Sequence, residues 1–194
     1  MAPILGIWAS QISGRLWEPQ GAYDALSTVT VPSGGLASIT FAAIPNTYKH
    51  LQIRGIAATT FTSGTPSASP FTIGFNSDTT FTNYRTHQLL GDGSTAQSYT
   101  VQSSGWLAGV GNAVNADTSN TFTGFVIDIL DYSSTSKNKV TRSLFGNDRN
   151  GSGDINLFSG LWMNTSPITS ITTQFPQSPR SFAQNSQFTL YGVK

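Results

Sequence analysis

From Leu26 onward apolar and polar residues alternate with a period of two, the spacing at which successive side chains of a strand fall on opposite faces. Leu26–Val31 (LSTVTV) and Leu36–Phe41 (LASITF) flank Pro32-Ser33-Gly34-Gly35, which predicts a hairpin. Tyr48–Ala57 puts Tyr48, His50, Gln52 and Arg54 on one face and Leu51 and Ile53 on the other. Phe71–Phe75 and Phe81–Leu90 read as strands around Asn76-Ser77-Asp78, and Gly91-Asp92-Gly93 as a tight turn. The strongest runs are Phe122–Tyr132 (FTGFVIDILDY), Lys137–Gly146, Phe158–Phe175 and Ser186–Lys194, with the polar turn Asn147–Asp154 between two of them. They are rich in Val, Ile, Thr, Phe and Tyr and are separated by Asn, Gly, Ser and Pro. Eight or so such strands predict an all-β chain, an antiparallel β-sandwich that is jelly-roll-like, with the last strand holding the C-terminus in a sheet. Parity assigns Val29, Ile39, Phe41, Leu51, Ile53, Phe125, Ile127, Ile129, Leu144, Ile171 and Leu190 to the core.

The first 22 residues lack this period. They carry Ile4, Leu5, Ile7, Trp8, Ile12, Leu16 and Trp17, with Gly6, Gly14 and Pro19 interrupting any regular element. The division is therefore an irregular N-terminal arm, 1–22, and a sandwich domain, 23–194. So apolar an arm is expected to lie along a surface, a partner's or that of its own domain, and those seven residues are the candidate partner-binding set. It lacks the basic start of a secretory signal, so it is expected to stay in the mature chain. Ser94–Thr121 is less decided, with Trp106 and Leu107 as its anchor.

Composition narrows the picture. A chain of 194 residues buries one sizeable core. Charged residues are 10% of the total, against about 25% in ordinary globular proteins, so Ser, Thr, Asn and Gln must fill the solvent-facing positions. The net charge of +1 and the absence of a basic stripe argue against nucleic-acid binding. Lys137, Lys139 and Arg142 form the one basic cluster, expected on a solvated strand face. With no cysteine there is neither a disulfide nor a thiolate metal site. No apolar run approaches the roughly 18 residues of a membrane-spanning helix, and no membrane insertion is expected.

Candidate chemistry is sparse. No G-x-S-x-G elbow accompanies the many serines, and His50 and His87 sit in strands without an evident acid partner. Asp128 and Asp131 could be imagined as a glycosidase pair, but a spacing of three places them on opposite faces of a strand. Asp128 is expected to satisfy nearby backbone or to pair with a basic residue of Lys137–Arg142, and Asp131 to cap a turn. Asp148, Asn150 and Asp154 resemble half of a calcium loop without completing it. No catalytic residue, metal site or cofactor is expected. Tyr84, Tyr99 and Trp106 are the candidate ligand-facing aromatics, and Trp162 and Tyr132 could join a sugar-stacking platform; packing in a core or interface is the commoner use of such rings.

Taken together, Pro3–Ser10, Tyr23–Gly35, Tyr48–Ala57, Val126–Gly146, Asn150–Gly153, Ser159–Ile171 and Phe188–Lys194 resemble a family of small virion proteins of tailed bacteriophages. The resemblance implies a non-enzymatic structural protein located in the virion and assembled in the host cytoplasm, with other tail or capsid proteins as partners. A tail-fibre or receptor-binding role for host attachment is the leading expectation. Capsid decoration, as a cement protein, is the alternative, and a carbohydrate-binding module for a host surface glycan a second one. A homo-oligomer is expected, with a trimer favoured by analogy with phage fibres and decorations.

Overall fold

The structure is a computed structural model that describes residues 21–62, 68–101, 107–114, 120–148, 152–176 and 179–194; of 68, 101 and 107–112 the backbone alone is described. These residues form twelve strands: β1 (Tyr23–Thr30), β2 (Ser38–Phe41), β3 (His50–Ala57), β4 (Ala68–Phe75), β5 (Tyr84–Gly91), β6 (Ala96–Val101), β7 (Leu107–Val114), β8 (Thr123–Leu130), β9 (Lys139–Asp148), β10 (Gly153–Trp162), β11 (Ile171–Gln174) and β12 (Gln187–Val193). A single 3₁₀ turn, Phe81–Asn83, precedes β5. An eight-stranded antiparallel sheet, in the order β1-β12-β3-β8-β9-β10-β5-β6, packs on a four-stranded one, β2-β11-β4-β7. The expected antiparallel sandwich is realised. Its eight-plus-four division has more strands than the eight of a jelly roll.

The core lies between the sheets. Phe71 and Phe75 of β4 point from the small sheet toward Phe125 and Ile127 of β8 and Phe188 and Leu190 of β12, and all of them are buried. Phe71 stands edge-on to Phe125, Phe182 and Phe188 at centroid distances of 5.4, 5.5 and 5.9 Å. Edge-to-face contacts of this kind add to the burial energy of the rings. The C-terminal strand is interior, one place from the edge: β12 pairs with β1 on one side and β3 on the other.

Two expectations are corrected. The Pro32–Gly35 turn does not close a hairpin, because β1 pairs with β12 in the large sheet and β2 with β11 in the small one. The turn carries the chain from one sheet to the other. Gly34 and Gly35 both have positive φ (93° and 79°), and a Cβ on Gly35 would lie 2.7 Å from the Phe182 carbonyl oxygen. The second correction is Leu144, which is exposed, whereas its neighbour Phe145 is buried. Phe145 sits opposite Phe125 and stacks on Phe158 at 5.5 Å, which fixes the parity of β9. A one-residue change of parity reverses every side chain of a strand, so Val140, Arg142 and Leu144 face out. Val29 is half-buried against the core, and the other nine assigned core residues are buried.

Ile127→Ala should cost roughly 2–5 kcal/mol in chemical denaturation. Leu144→Ala, in dilute solution, should cost less than about 1 kcal/mol. Equal losses at the two positions would contradict the parity described.

Candidate functional site

The sequence-selected aromatics do not make a ligand platform among the described residues. Tyr84 is buried, stacked on Trp162 and Phe75, and its hydroxyl donates to the Asp78 carbonyl (3.0 Å) and accepts from the Phe75 amide (3.2 Å). It is a core residue, which corrects its reading as ligand-facing. Trp162 and Tyr132 are buried as well. Tyr99 is 47% exposed on β6, opposite Gln88. Trp106 and the arm residues Ile4, Leu5, Ile7, Trp8, Ile12, Leu16 and Trp17 lie outside the described residues.

The titratable groups hold the structure in place. Asp78 accepts hydrogen bonds from Trp162 Nε1 (2.7 Å), Asn83 Nδ2 (2.8 Å) and the Thr80 amide (2.9 Å). Burial pushes its carboxyl up, and the bonds from Asn83, Trp162 and Thr80 outweigh that and bring it down to about 2. Asp131 lies in a turn at φ 47°, pairs with Lys137 at 2.7 Å and is held low mainly by that hydrogen bond. Its amide donates to His50 Nδ1 at 2.9 Å. Asp128 stands on β8, where it accepts from Gln52 Nε2 and meets Arg142 Nη2 at 3.7 Å. Of the two uses expected for Asp128, pairing with a basic residue is therefore present.

Lys139 departs from the expected solvated cluster. It is fully buried, and its Nζ donates to the carbonyls of Lys137 (2.7 Å), Ser134 (2.8 Å), Thr165 (3.1 Å) and Asn164 (3.4 Å). Burial lowers its pKa. The ammonium thus ties the β8–β9 turn to the chain that follows β10.

A cleft of about 570 Å³ opens between the β5–β6 turn and the β9–β10 hairpin, with Asp92, Asp148 and Asp154 in its lining. Asp92 is engaged in its own turn, accepting from the amides of Ser94 (2.8 Å) and Thr95 (2.7 Å), and these bonds lower its pKa. Asp154 accepts from the side-chain amides of Asn147 and Asn156. Among the described residues no group of three or more His, Cys, Asp or Glu could hold a metal ion.

The feature that sequence reasoning missed is the outer face of the large sheet. Cross-strand register aligns Val126 (β8), Leu144 (β9), Leu157 (β10) and Leu89 (β5) in one row. Leu144 and Leu157 are each 48% exposed, Leu89 54%, and nearby Ile155 65%. A second outward row, Leu130, Val140 and Leu161, runs toward the other end of the same strands. The signal was available: β10 reads GDINLFSGLW, with Ile155 and Leu157 on one parity and Phe158 and Trp162 on the other. A strand apolar on both parities marks a sheet with two faces to cover. The polar half of the same outer face carries a network in which Arg54 donates to Gln52, Gln52 to Asp128, and Asp128 pairs with Arg142. The Arg54 guanidinium lies 4.5 Å from the Tyr23 ring centroid and 5.3 Å from that of Tyr191, so it already occupies those aromatic faces.

Compared with protein-family models, curated proteins and solved structures, the chain matches none of them.

Stability should fall in acid through Asp78. Its folded pKa lies below the ordinary 3.8, so its contribution is complete above that value and is lost as pH falls toward 2, about 2 kcal/mol in all. Urea unfolding at about pH 5.5 and 2.5 should show Asp78→Asn losing less stability on acidification than the parent, and parallel losses would contradict this role.

Proposed function

We propose that this protein is a non-enzymatic structural component of a bacteriophage particle, and that the outer face of its large sheet is an assembly surface. The observation that carries the reading is the exposed row of Leu89, Leu144 and Leu157 with Ile155 beside it. Monomeric soluble proteins rarely expose a contiguous apolar patch above a few hundred Å², and larger ones mark interaction surfaces. The rest of the surface supports the reading: charges are few, and ladders such as Thr28–Thr189 and Thr40–Thr172 pair hydroxyls across exposed strands. The resemblance to virion proteins gives the particle, and within it the tail-fibre or receptor-binding role is preferred. In this reading the apolar arm is a second attachment element, with Trp8 and Trp17 as its largest anchors.

The reading is tested on purified particles of the phage that carries the gene. Mass spectrometry should find the chain at a fixed copy number. Substituting glutamate for both Leu144 and Leu157 should reduce its incorporation at least tenfold while the free protein stays folded by circular dichroism. Normal incorporation of the folded double variant, or absence of the parent chain from the particles, would overturn it.

A further inference from the structure

We propose that a second copy of this chain covers the outer apolar face, packed sheet on sheet about a two-fold axis that runs along the row Val126–Leu144–Leu157–Leu89. The proposal rests on the assembly reading above and names the partner of that surface.

The pattern of sizes on either side of the row points to a copy of the same face. Two residues along each strand to one side stand Asp128, Arg142, Ser159 and His87, which register aligns as neighbours. Two residues to the other side stand Gly124, Gly146, Ile155 and Gly91, likewise aligned. A two-fold axis along the leucines lays each strand over its own counterpart and exchanges the two flanks. Asp128 then lies over Gly124 of the second copy, Arg142 over Gly146 and His87 over Gly91. The one projecting side chain of the glycine flank, Ile155, meets the smallest member of the polar flank, Ser159. On every one of the four strands large opposes small. A two-fold interface needs this self-complementarity.

The space on the glycine flank is open. A Cβ at Gly91 or Gly124 would meet nothing within 4 Å, and one at Gly146 only ordinary contacts at 3.6 Å. Asp128 and Arg142 of the polar flank pair within one copy; Arg54, which register places next to Val126 at the end of the row, carries its guanidinium over the Tyr23 and Tyr191 rings of β1 and β12, on the side away from the leucines. The outward aliphatic side chains leave on the order of 500 Å² exposed per copy, so two copies would bury about 1,000 Å² of apolar surface alone, the scale of a specific interface. The row is three strand spacings long, roughly 14 Å, and stacked sheets of such packings lie about 10 Å apart. The arrangement predicts a two-fold pair in place of the trimer that analogy with phage fibres favours.

Sedimentation of the full chain at about 1 to 100 µM tests this, with three proteins compared: the parent, the double variant Leu144→Glu/Leu157→Glu, and Gly146→Arg. The parent should be a dimer. The double variant should dissociate at least about a hundredfold more readily, through charge placed on the axis. Gly146→Arg leaves the leucines intact and sets a second arginine against Arg142 of the other copy, so it should also be monomeric, with an unchanged circular dichroism spectrum. Because the chain has no cysteine, Leu144→Cys offers an independent check: a short bis-maleimide should join two copies through it, and should not join copies of Ser38→Cys on the small sheet. A monomeric parent, or a dimer indifferent to the leucine changes, overturns the proposal. A dimer lost in the leucine variant and kept in Gly146→Arg overturns the two-fold register. A monomeric parent whose leucine variant nevertheless fails to enter particles overturns the second copy as partner and leaves the assembly reading standing.

Discussion

The ring of Phe71 is the contact on which the sandwich depends. It belongs to the small sheet, yet it meets Phe125 and Phe188 of the large one, and Phe175 and Phe182 of the segment leading into β12. Three chain regions far apart in sequence therefore converge on one side chain. A chain without disulfides must hold its sheets largely by such burial. Around this centre Ile73, Phe75, Ile127, Ile129 and Leu190 extend the same layer, all of them buried. Removing the ring would leave a cavity bounded by four others that rigid strands could not close.

That layer also decides what the opposite face looks like. Phe145 and Phe158 are drawn into the core, so β9 and β10 must turn their alternate residues outward. On β9 the result is unusual: Lys139, Thr141, Ser143 and Asn147 point in, while Val140 and Leu144 point out. Lys139 is accommodated because four backbone carbonyls receive its ammonium. The exposed leucine row is thus a direct outcome of the parity that the core aromatics impose. In the functional reading, that same parity supplies the surface through which the chain joins its neighbours.

Much of the strand pattern was legible because period-two alternation is strong where one face is apolar and the other polar. Leu51 and Ile53 of β3, and Phe125, Ile127 and Ile129 of β8, are buried as their alternation indicates. The errors have specific causes. β9 carries apolar residues on both parities, and local alternation cannot tell which aromatic partner wins. The Pro32–Gly35 turn has the composition of a hairpin, but its partners β11 and β12 lie more than a hundred residues downstream. Tyr84 is a candidate ligand-facing ring from sequence because nothing local distinguishes that use from core packing; its burial follows from Trp162, which β10 brings opposite it. The candidate site was the least legible part. A row that runs across strands has no period along the chain, and emerges only when β8, β9, β10 and β5 are set side by side.

The measurement that tests the account most directly is the solvent exposure of individual methyl groups as protein concentration rises. Paramagnetic relaxation by a soluble cosolute reads this at each leucine and valine in solution. The account predicts that the methyls of Leu89, Leu144 and Leu157 lose their exposure together as the protein associates, with Val126 following, while apolar side chains elsewhere on the surface keep theirs. Methyls of the leucine row that stay open to solvent at every concentration, with protection arising on another face, would contradict it.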